Sequence, residues 1–249
     1  MRHGFDEIYK RFKKAITVYD MISDDTPLMV GLSGGKDSLT LLYALKQFLR
    51  ISKFKYKLAA GHISLGFPAD DVGRMRSFCD ELDIPFYWQK TEIGPLIFEY
   101  RRESNPCALC AKMRRGALNS LAKEHGFSKL ALAHHQDDAV ETLLLNLFFE
   151  GRVGSFSPVT YLDRMDITVI RPLIYVPETQ INYFARKQLL PVTESNCPHN
   201  CLGKRQEIKA LLKSMEELAP RGKDRVVGAL ERLYGVKWDG FLPTNDEQK

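Results

Sequence analysis

The sequence predicts an α/β protein built on a doubly wound parallel sheet, and three observations carry that expectation. Apolar runs of strand length, such as Leu28-Met29-Val30-Gly31-Leu32 and Leu130-Ala131-Leu132-Ala133, alternate with longer segments of helical periodicity. Both of these runs end in turns, Ser33-Gly34-Gly35-Lys36-Asp37-Ser38 and His134-His135-Gln136-Asp137-Asp138, that open straight into a helix. At 249 residues, 44% hydrophobic and 27% charged, the chain can fill one large core with a small appendage.

Taken in order, Phe5, Ile8, Tyr9, Phe12, Ile16 and Tyr19 recur at helical spacing, with Lys10, Arg11, Lys13 and Lys14 between them. That is an amphipathic entry helix with a basic outer face. The first strand, 28–32, leads through its glycine turn into a helix over 39–48. Residues 58–63 read as a second buried strand, 69–82 as a helix begun by Asp70-Asp71, and 85–89 as a third strand. A short amphipathic piece, 93–100, ends in Arg101-Arg102. Residues 107–125 are helical and basic early, and Gly126 stands where a C-terminal cap belongs. A fourth strand at 129–133 precedes a helix over 137–149 that stops at Gly151. A short fifth strand, 168–170, is closed by Arg171-Pro172, and a helix over 177–189 begins with proline. Helices over 205–218 and 224–234 complete the chain, and the polar tail after Pro243 is expected to fray. The division is a helix at 1–24, a nucleotide domain at 25–220 and a C-terminal helix and tail at 221–249.

No run approaches the length of a membrane span, and Met1-Arg2-His3-Gly4-Phe5-Asp6 lacks a signal-peptide apolar core. A cytoplasmic location without membrane attachment is therefore expected. Five cysteines in such a compartment are reduced, so clustered ones read as metal or redox ligands rather than disulfides. A net charge of +5 permits a polyanionic partner without demanding one.

Strand, glycine turn and helix N-terminus together make an anion site. Glycines let backbone N–H groups converge, the helix dipole adds positive charge, and Lys36 adds a full one. Ser33 and Ser38 add hydroxyl donors. The Walker pattern fails at both ends, because Gly35-Lys36 is followed by Asp37 and Val30 stands where its first glycine belongs. A plain βα turn with a capping serine is the bland alternative. Against it, the hexapeptide in this strand–helix context resembles the pyrophosphate loop of the ATP pyrophosphatases. These cleave ATP between the α and β phosphates and leave an adenylated substrate.

In an open parallel sheet, ligands bind at the carboxyl ends of the strands, so the His134–Asp138 turn can face the same crevice as this loop. Asp137 and Asp138 near a triphosphate are natural Mg²⁺ ligands. In isolation they would be ordinary dipole complements of a first helical turn, and His134 merely packed. Cys107 and Cys110 form a C-x-x-C at a helix start, Cys197 and Cys201 a C-x-x-x-C in a loop, and Cys79 sits at core spacing with Met75, Phe78 and Leu82. From the residues alone, the two pairs suggest a four-thiolate zinc site.

Four ordered motifs make the combination specific. The stretch Asn105-Pro106-Cys107-Ala108-Leu109-Cys110-Ala111-Lys112-Met113-Arg114-Arg115-Gly116, the SGGKDS loop, the HHQDD turn, and Arg171-Pro172-Leu173 followed by Glu178 and Ile181 resemble the TtcA family. Its members are tRNA 2-thiocytidine synthetases of the PP-loop superfamily, with an adenine nucleotide α-hydrolase-like fold. The resemblance covers about residues 5–211. It implies ATP, Mg²⁺ and a [4Fe–4S] cluster on Cys107, Cys110 and Cys197, with zinc as the alternative that Cys201 keeps open. It implies that Ser33, Gly34, Gly35, Lys36, Asp37 and Ser38 hold the pyrophosphate, with His134 and Asp138 beside the nucleotide. Asp37, Asp137 and Asp138 would manage Mg²⁺. Lys36, Asp37, Asp137, Asp138 and Cys197 would carry the chemistry. Arg101, Arg102, Arg114 and Arg115 would meet tRNA phosphates, with Lys112 equally well a solvated surface residue. The further partner is a sulfur donor, a cysteine desulfurase or sulfide, and a homodimer is compatible with these features. The rival readings are thiolation of another tRNA base or of a small molecule, and a zinc-containing nucleotide-binding module.

Overall fold

Strand-length runs of small and branched apolar residues assemble a sheet that is covered on both faces. The computed structural model describes residues 3–67, 71–101, 106–193 and 204–233. Strand β1 (Pro27–Gly31) lies at the centre, parallel to β2 (Lys57–Ser64) on one side and to β4 (Lys129–Ala131) on the other. Leu28 stands opposite Leu58 and Lys129 in these ladders. β3 (Phe86–Lys90) extends the sheet beyond β2, and β6 (Ile167–Ile170) continues it beyond β4, both parallel to their neighbours. A sixth strand, β5 (Val159–Leu162), closes the edge antiparallel to β6, giving the order β3-β2-β1-β4-β6-β5.

The sheet therefore has six strands where the sequence suggests five, and its last edge is antiparallel. Val159-Thr160-Tyr161-Leu162 is a half-exposed edge segment, returned to β6 by a tight turn in which Asp166 adopts φ +53°. A reading based on strand–helix alternation has no place for such a hairpin.

The helices are α1 (His3–Val18), α2 (Lys36–Ile51), α3 (Val72–Glu81), α4 (Ile93–Pro95), α5 (Pro106–Glu124), α6 (Gln136–Glu150), α7 (Glu178–Lys187), α8 (Lys204–Leu218) and α9 (Gly222–Leu233). The single turn of α4 runs into a π-helical stretch, Leu96–Arg101, in place of the short amphipathic piece expected there. Asp71 caps α3 by accepting the Arg74 amide at 3.1 Å. Gly151, at φ +64°, ends α6 as its position in the sequence suggests.

Alternation along β1 divides the core. Leu28 and Val30 face a cluster containing Phe12 of α1, Leu42 of α2, Phe184 of α7 and Leu230 of α9. Met29 faces the opposite side, among Ile93, Ile97 and the α5 residues Leu118 and Leu121. The chain runs from β1 outward to β3 and then returns to β4 on the other side of β1. The gap between the carboxyl ends of β1 and β4 is the switch point at which open α/β sheets bind ligands. No helix among the described residues is long and apolar enough to cross a membrane.

Candidate active site

A cleft of ≈ 460 Å³ opens at that switch point. Its floor is formed by Gly31, Leu32, Gly61, Ile63 and Leu132, and α5 covers it with Ala111, Arg114, Arg115 and Leu118. Its polar end carries Ser33, Asp37 and Ser38 from the glycine loop, and His134 and Asp138 from the turn after β4. Two motifs 100 residues apart thus meet across one gap, because β1 and β4 are hydrogen-bonded neighbours. An apolar slot beside a cluster of hydroxyls and amides suits a flat base with a charged phosphate chain.

The loop is prefolded. The Ser38 hydroxyl accepts from the Ser33 amide at 3.1 Å and donates to the Gly35 carbonyl at 2.9 Å, with the Ser33 hydroxyl 3.1 Å away. Gly34 takes φ +80°, and its carbonyl accepts the Thr193 amide at 3.0 Å. A Cβ built on Gly34 would run into Thr193 Oγ1, so only glycine fits under that crossing chain. Gly35, the N-cap of α2, has no side chain to cover the first-turn amides, which leaves them to an anion.

Lys36 is not among the residues that line the cleft. Its ammonium donates to Asp37 Oδ1 and to Glu178 Oε1, each at 2.8 Å. Burial acts against its charge, but the two carboxylates outweigh burial and hold the ammonium above its ordinary pKa. Glu178 is lowered in turn, burial again opposing and Lys36 prevailing.

The aspartates divide into two environments. Asp37 Oδ1 and Asp138 Oδ2 lie 3.8 and 3.5 Å from the same nitrogen, His135 Nε2. Two carboxylates close to one imidazole nitrogen, beside a phosphate loop, fit a Mg²⁺ carried in with a nucleotide. Among the described residues no group of three or more His, Cys, Asp and Glu side chains could hold a metal ion unaided. Asp137 is placed otherwise. It is only 4% exposed, one oxygen accepts the Glu178 amide at 2.7 Å, and the other takes Lys223 Nζ at 2.6 Å. It buttresses the site from behind and does not line the cleft.

His134 packs its ring 4.9 Å from that of Phe156, and its buried Nδ1 has no hydrogen-bond partner. Burial first, and the Arg171 guanidinium second, push its pKa down to about 4, so it presents a neutral imidazole to the cleft. Arg171 is itself buried over Phe156, donates to the Ser157 carbonyl at 2.5 Å, and is lowered to about 10 by burial and then by Arg115.

Cys107 and Cys110 stand one turn apart in the first turns of α5, Cys107 exposed and Cys110 half-buried. They continue the stripe Ala111, Arg114 and Leu118 toward the N-terminus of α5, four residues before Ala111 and Arg114. Two thiols at a helix start beside arginines suit thiolate ligation of a metal cluster. Cys197 and Cys201 lie outside the described residues, as do Arg102 and the Arg101 side chain. Cys79 is buried, and burial pushes its thiol up to about 12, as befits an inert core residue. On α1, Lys10 and Lys13 are exposed, but Arg11 donates to the Tyr175 carbonyl at 3.0 Å and to Asp224 at 3.1 Å. Part of that basic face therefore serves packing.

Sequence reasoning misses three cations that surround the acidic set. Arg205 reaches Asp138 at 3.3 Å, Lys209 lies 3.8 Å from Glu178, and Lys223 holds Asp137. Each sits on an amphipathic helix whose charges read as solvated until the helix is docked. Arg205 and Lys209 also flank Glu141, 2% exposed, whose carboxyl burial raises.

A glycine–hydroxyl loop at the switch point of a doubly wound sheet defines the PP-loop class, and residues 6–210 match the PP-loop domain family. A tRNA-cytidine(32) 2-sulfurtransferase of Citrifermentans bemidjiense is 37% identical over 234 residues, 93% of this chain and 92% of the relative. The protein of the same name from Geotalea daltonii is 39% identical over 238 residues, 92% of this chain and 93% of the relative. The fold resembles that of a U34-tRNA thiolase, NcsA from Methanococcus maripaludis, solved with its [4Fe-4S] cluster. That likeness has a TM-score of 0.77 and 24% identity, over 92% of this chain and 78% of that one. The chain belongs to the tRNA-cytidine(32) 2-sulfurtransferase family of PP-loop proteins.

Proposed function

We propose that this protein thiolates an anticodon-loop cytidine of tRNA, using ATP and Mg²⁺ to activate the C2 carbonyl. The single observation that carries the reading is the shared cleft. Ser33 and Ser38 of the phosphate loop, Asp37, Asp138 and the α5 residues Arg114 and Arg115 line it together, and the C-x-x-C stands in the first turns of that same helix. Family membership supplies the reaction class and the substrate class.

An amide-like carbonyl is a poor electrophile. In the first step the C2 oxygen attacks the α-phosphorus of ATP, the bond to the bridging oxygen breaks, and pyrophosphate leaves with the electron pair. Ser33, Gly34, Gly35 and Ser38 hold the departing pyrophosphate through hydroxyls and amides, and Lys36 neutralises it once drawn from Glu178. Asp37 and Asp138 would hold the Mg²⁺ that comes with ATP, and Asp137 keeps the turn behind them in place. His134, neutral and open to the cleft, borders the nucleotide without adding a competing charge. In the second step, sulfur at the sulfide level attacks C2, the C2–O bond breaks, and AMP leaves.

Cys107 and Cys110 would hold two irons of a [4Fe–4S] cluster, with Cys197 as the third ligand. When bound with one iron free of cysteine, such a cluster supplies a site that can carry the sulfur. Arg114 and Arg115 line the cleft further along the same helix, where they would receive the phosphates of the tRNA loop. The sulfur donor is a cysteine desulfurase or sulfide.

The deciding experiment incubates the anaerobically purified protein with ATP, Mg²⁺, a sulfide source and tRNA, then analyses nucleotide products and tRNA nucleosides. AMP, pyrophosphate and 2-thiocytidine are expected. ADP and phosphate as the main products would sink the adenylation step. Thiolation at another base, or only of a small molecule, would replace the cytidine assignment.

A further inference from the structure

Helix α7 has no cap of its own making, because Pro177 occupies its N-cap position and brings no polar side chain. The cap comes from a different helix, with Asp137 Oδ2 of α6 accepting the Glu178 amide at 2.7 Å. Asp137 Oδ1 is held by Lys223 Nζ of α9 at 2.6 Å, and Lys223 is steadied by Glu216 Oε2 at 3.1 Å. On the other side, Glu178 Oε1 holds Lys36 Nζ of the phosphate loop at 2.8 Å. Four residues from four helices thus form one line, Lys223, Asp137, Glu178 and Lys36, passing through the Glu178 backbone amide at its middle link. Its first member lies beyond residue 210, where the match to the PP-loop domain ends.

We propose that Lys223 is a positioning residue for nucleotide binding, acting through Asp137 and Glu178 on Lys36. The inference rests on the reading of the SGGKDS loop as the ATP site. A carboxylate as buried as Asp137 needs both oxygens engaged. Without the ammonium, Oδ1 is left buried with no partner, the carboxylate turns to find one, and its hold on the Glu178 amide weakens. The first turn of α7 then loosens, and Glu178 no longer fixes where the Lys36 ammonium waits for phosphate. The next residue shows what a merely anchoring contact looks like. Asp224 ties the same helix turn to Arg11 at 3.1 Å and Gln136 at 2.8 Å, with no bond to Asp137, Glu178 or Lys36.

The test measures MgATP affinity by titration calorimetry, and melting temperature, for wild type, Lys223→Met, Asp224→Asn, Glu178→Ala and the Lys223→Met/Glu178→Ala double variant. Lys223→Met is expected to weaken MgATP binding on the order of tenfold, and by less than about twofold when Glu178 is already alanine. Asp224→Asn is expected to lower the melting temperature while leaving affinity within about twofold of wild type. The inference is overturned if Asp224→Asn weakens binding as much as Lys223→Met does, which would make the effect one of helix docking. It is overturned equally if the Lys223→Met loss persists in the Glu178→Ala background, or if no loss occurs. Absence of MgATP binding by the folded wild type would remove the nucleotide reading itself, a separate and recognisable outcome.

Discussion

Replacing Gly34 by alanine tests the phosphate loop at its tightest point. Gly34 sits at φ +80°, where an L side chain costs about 1–2 kcal/mol. The new methyl would occupy the position of Thr193 Oγ1, so Thr193 must rotate or retreat. Retreat also strains the 3.0 Å bond from the Thr193 amide to the Gly34 carbonyl, worth about 1 kcal/mol. Together the loop loses about 2–3 kcal/mol, and relief comes through moving the Gly34–Gly35 amides out of register with a phosphate. Urea unfolding monitored by circular dichroism should report that loss, and MgATP titration should show binding weakened at least about tenfold. Adding Thr193→Ala removes the collision, because the Thr193 Cβ is 3.5 Å from the new methyl, an ordinary contact. The double variant should regain about 1 kcal/mol and keep the backbone strain. A Gly34→Ala protein as stable as wild type and binding MgATP within about twofold would refute the reasoning.

Three other outcomes follow from the same geometry. Cys107→Ala and Cys110→Ala should each abolish both iron–sulfur absorbance and thiolation after anaerobic purification. Cys79→Ala should keep both, at about 1 kcal/mol of stability. Stoichiometric zinc in place of iron and sulfide would mark the site as structural. Arg114→Ala/Arg115→Ala should lower the slope of log affinity for tRNA against log salt concentration by about 1–2 while leaving MgATP affinity in place. For His134 the folded pKa of about 4 lies below the ordinary 6.5, so the unfolded chain binds the extra proton between those values. Its contribution is complete above pH about 6.5 and is lost as pH falls toward about 4, on the order of 2–3 kcal/mol. Unfolding free energies across that range should flatten in His134→Asn, and an unchanged slope would contradict a neutral buried imidazole.

Much of this molecule is written locally. The β1 run and its glycine turn, the β4 run and its acidic turn, and the alternation of the two periodicities are short-range properties of the chain. They specify strand, loop and helix start before any tertiary contact forms, because hydroxyl, glycine and carboxylate positions act on neighbouring amides. Tertiary structure decided matters that depend on residues far apart. The edge hairpin β5–β6 breaks the parallel pattern because pairing partners, not periodicity, set strand direction. Two adjacent aspartates look equivalent in sequence. Only the docking of α7 and α9 turns Asp137 into a buried buttress and leaves Asp138 at the cleft with Asp37. Lys36 reads as a phosphate ligand from its motif, yet its resting place between Asp37 and Glu178 depends on a helix 142 residues further along. Lys223 carried no signal at all, since a lysine in the first turn of an amphipathic helix gains meaning only from the carboxylate it meets. Hydrogen bonds within a turn are fixed by sequence neighbours, whereas the partner of a long charged side chain is fixed by how the helices pack.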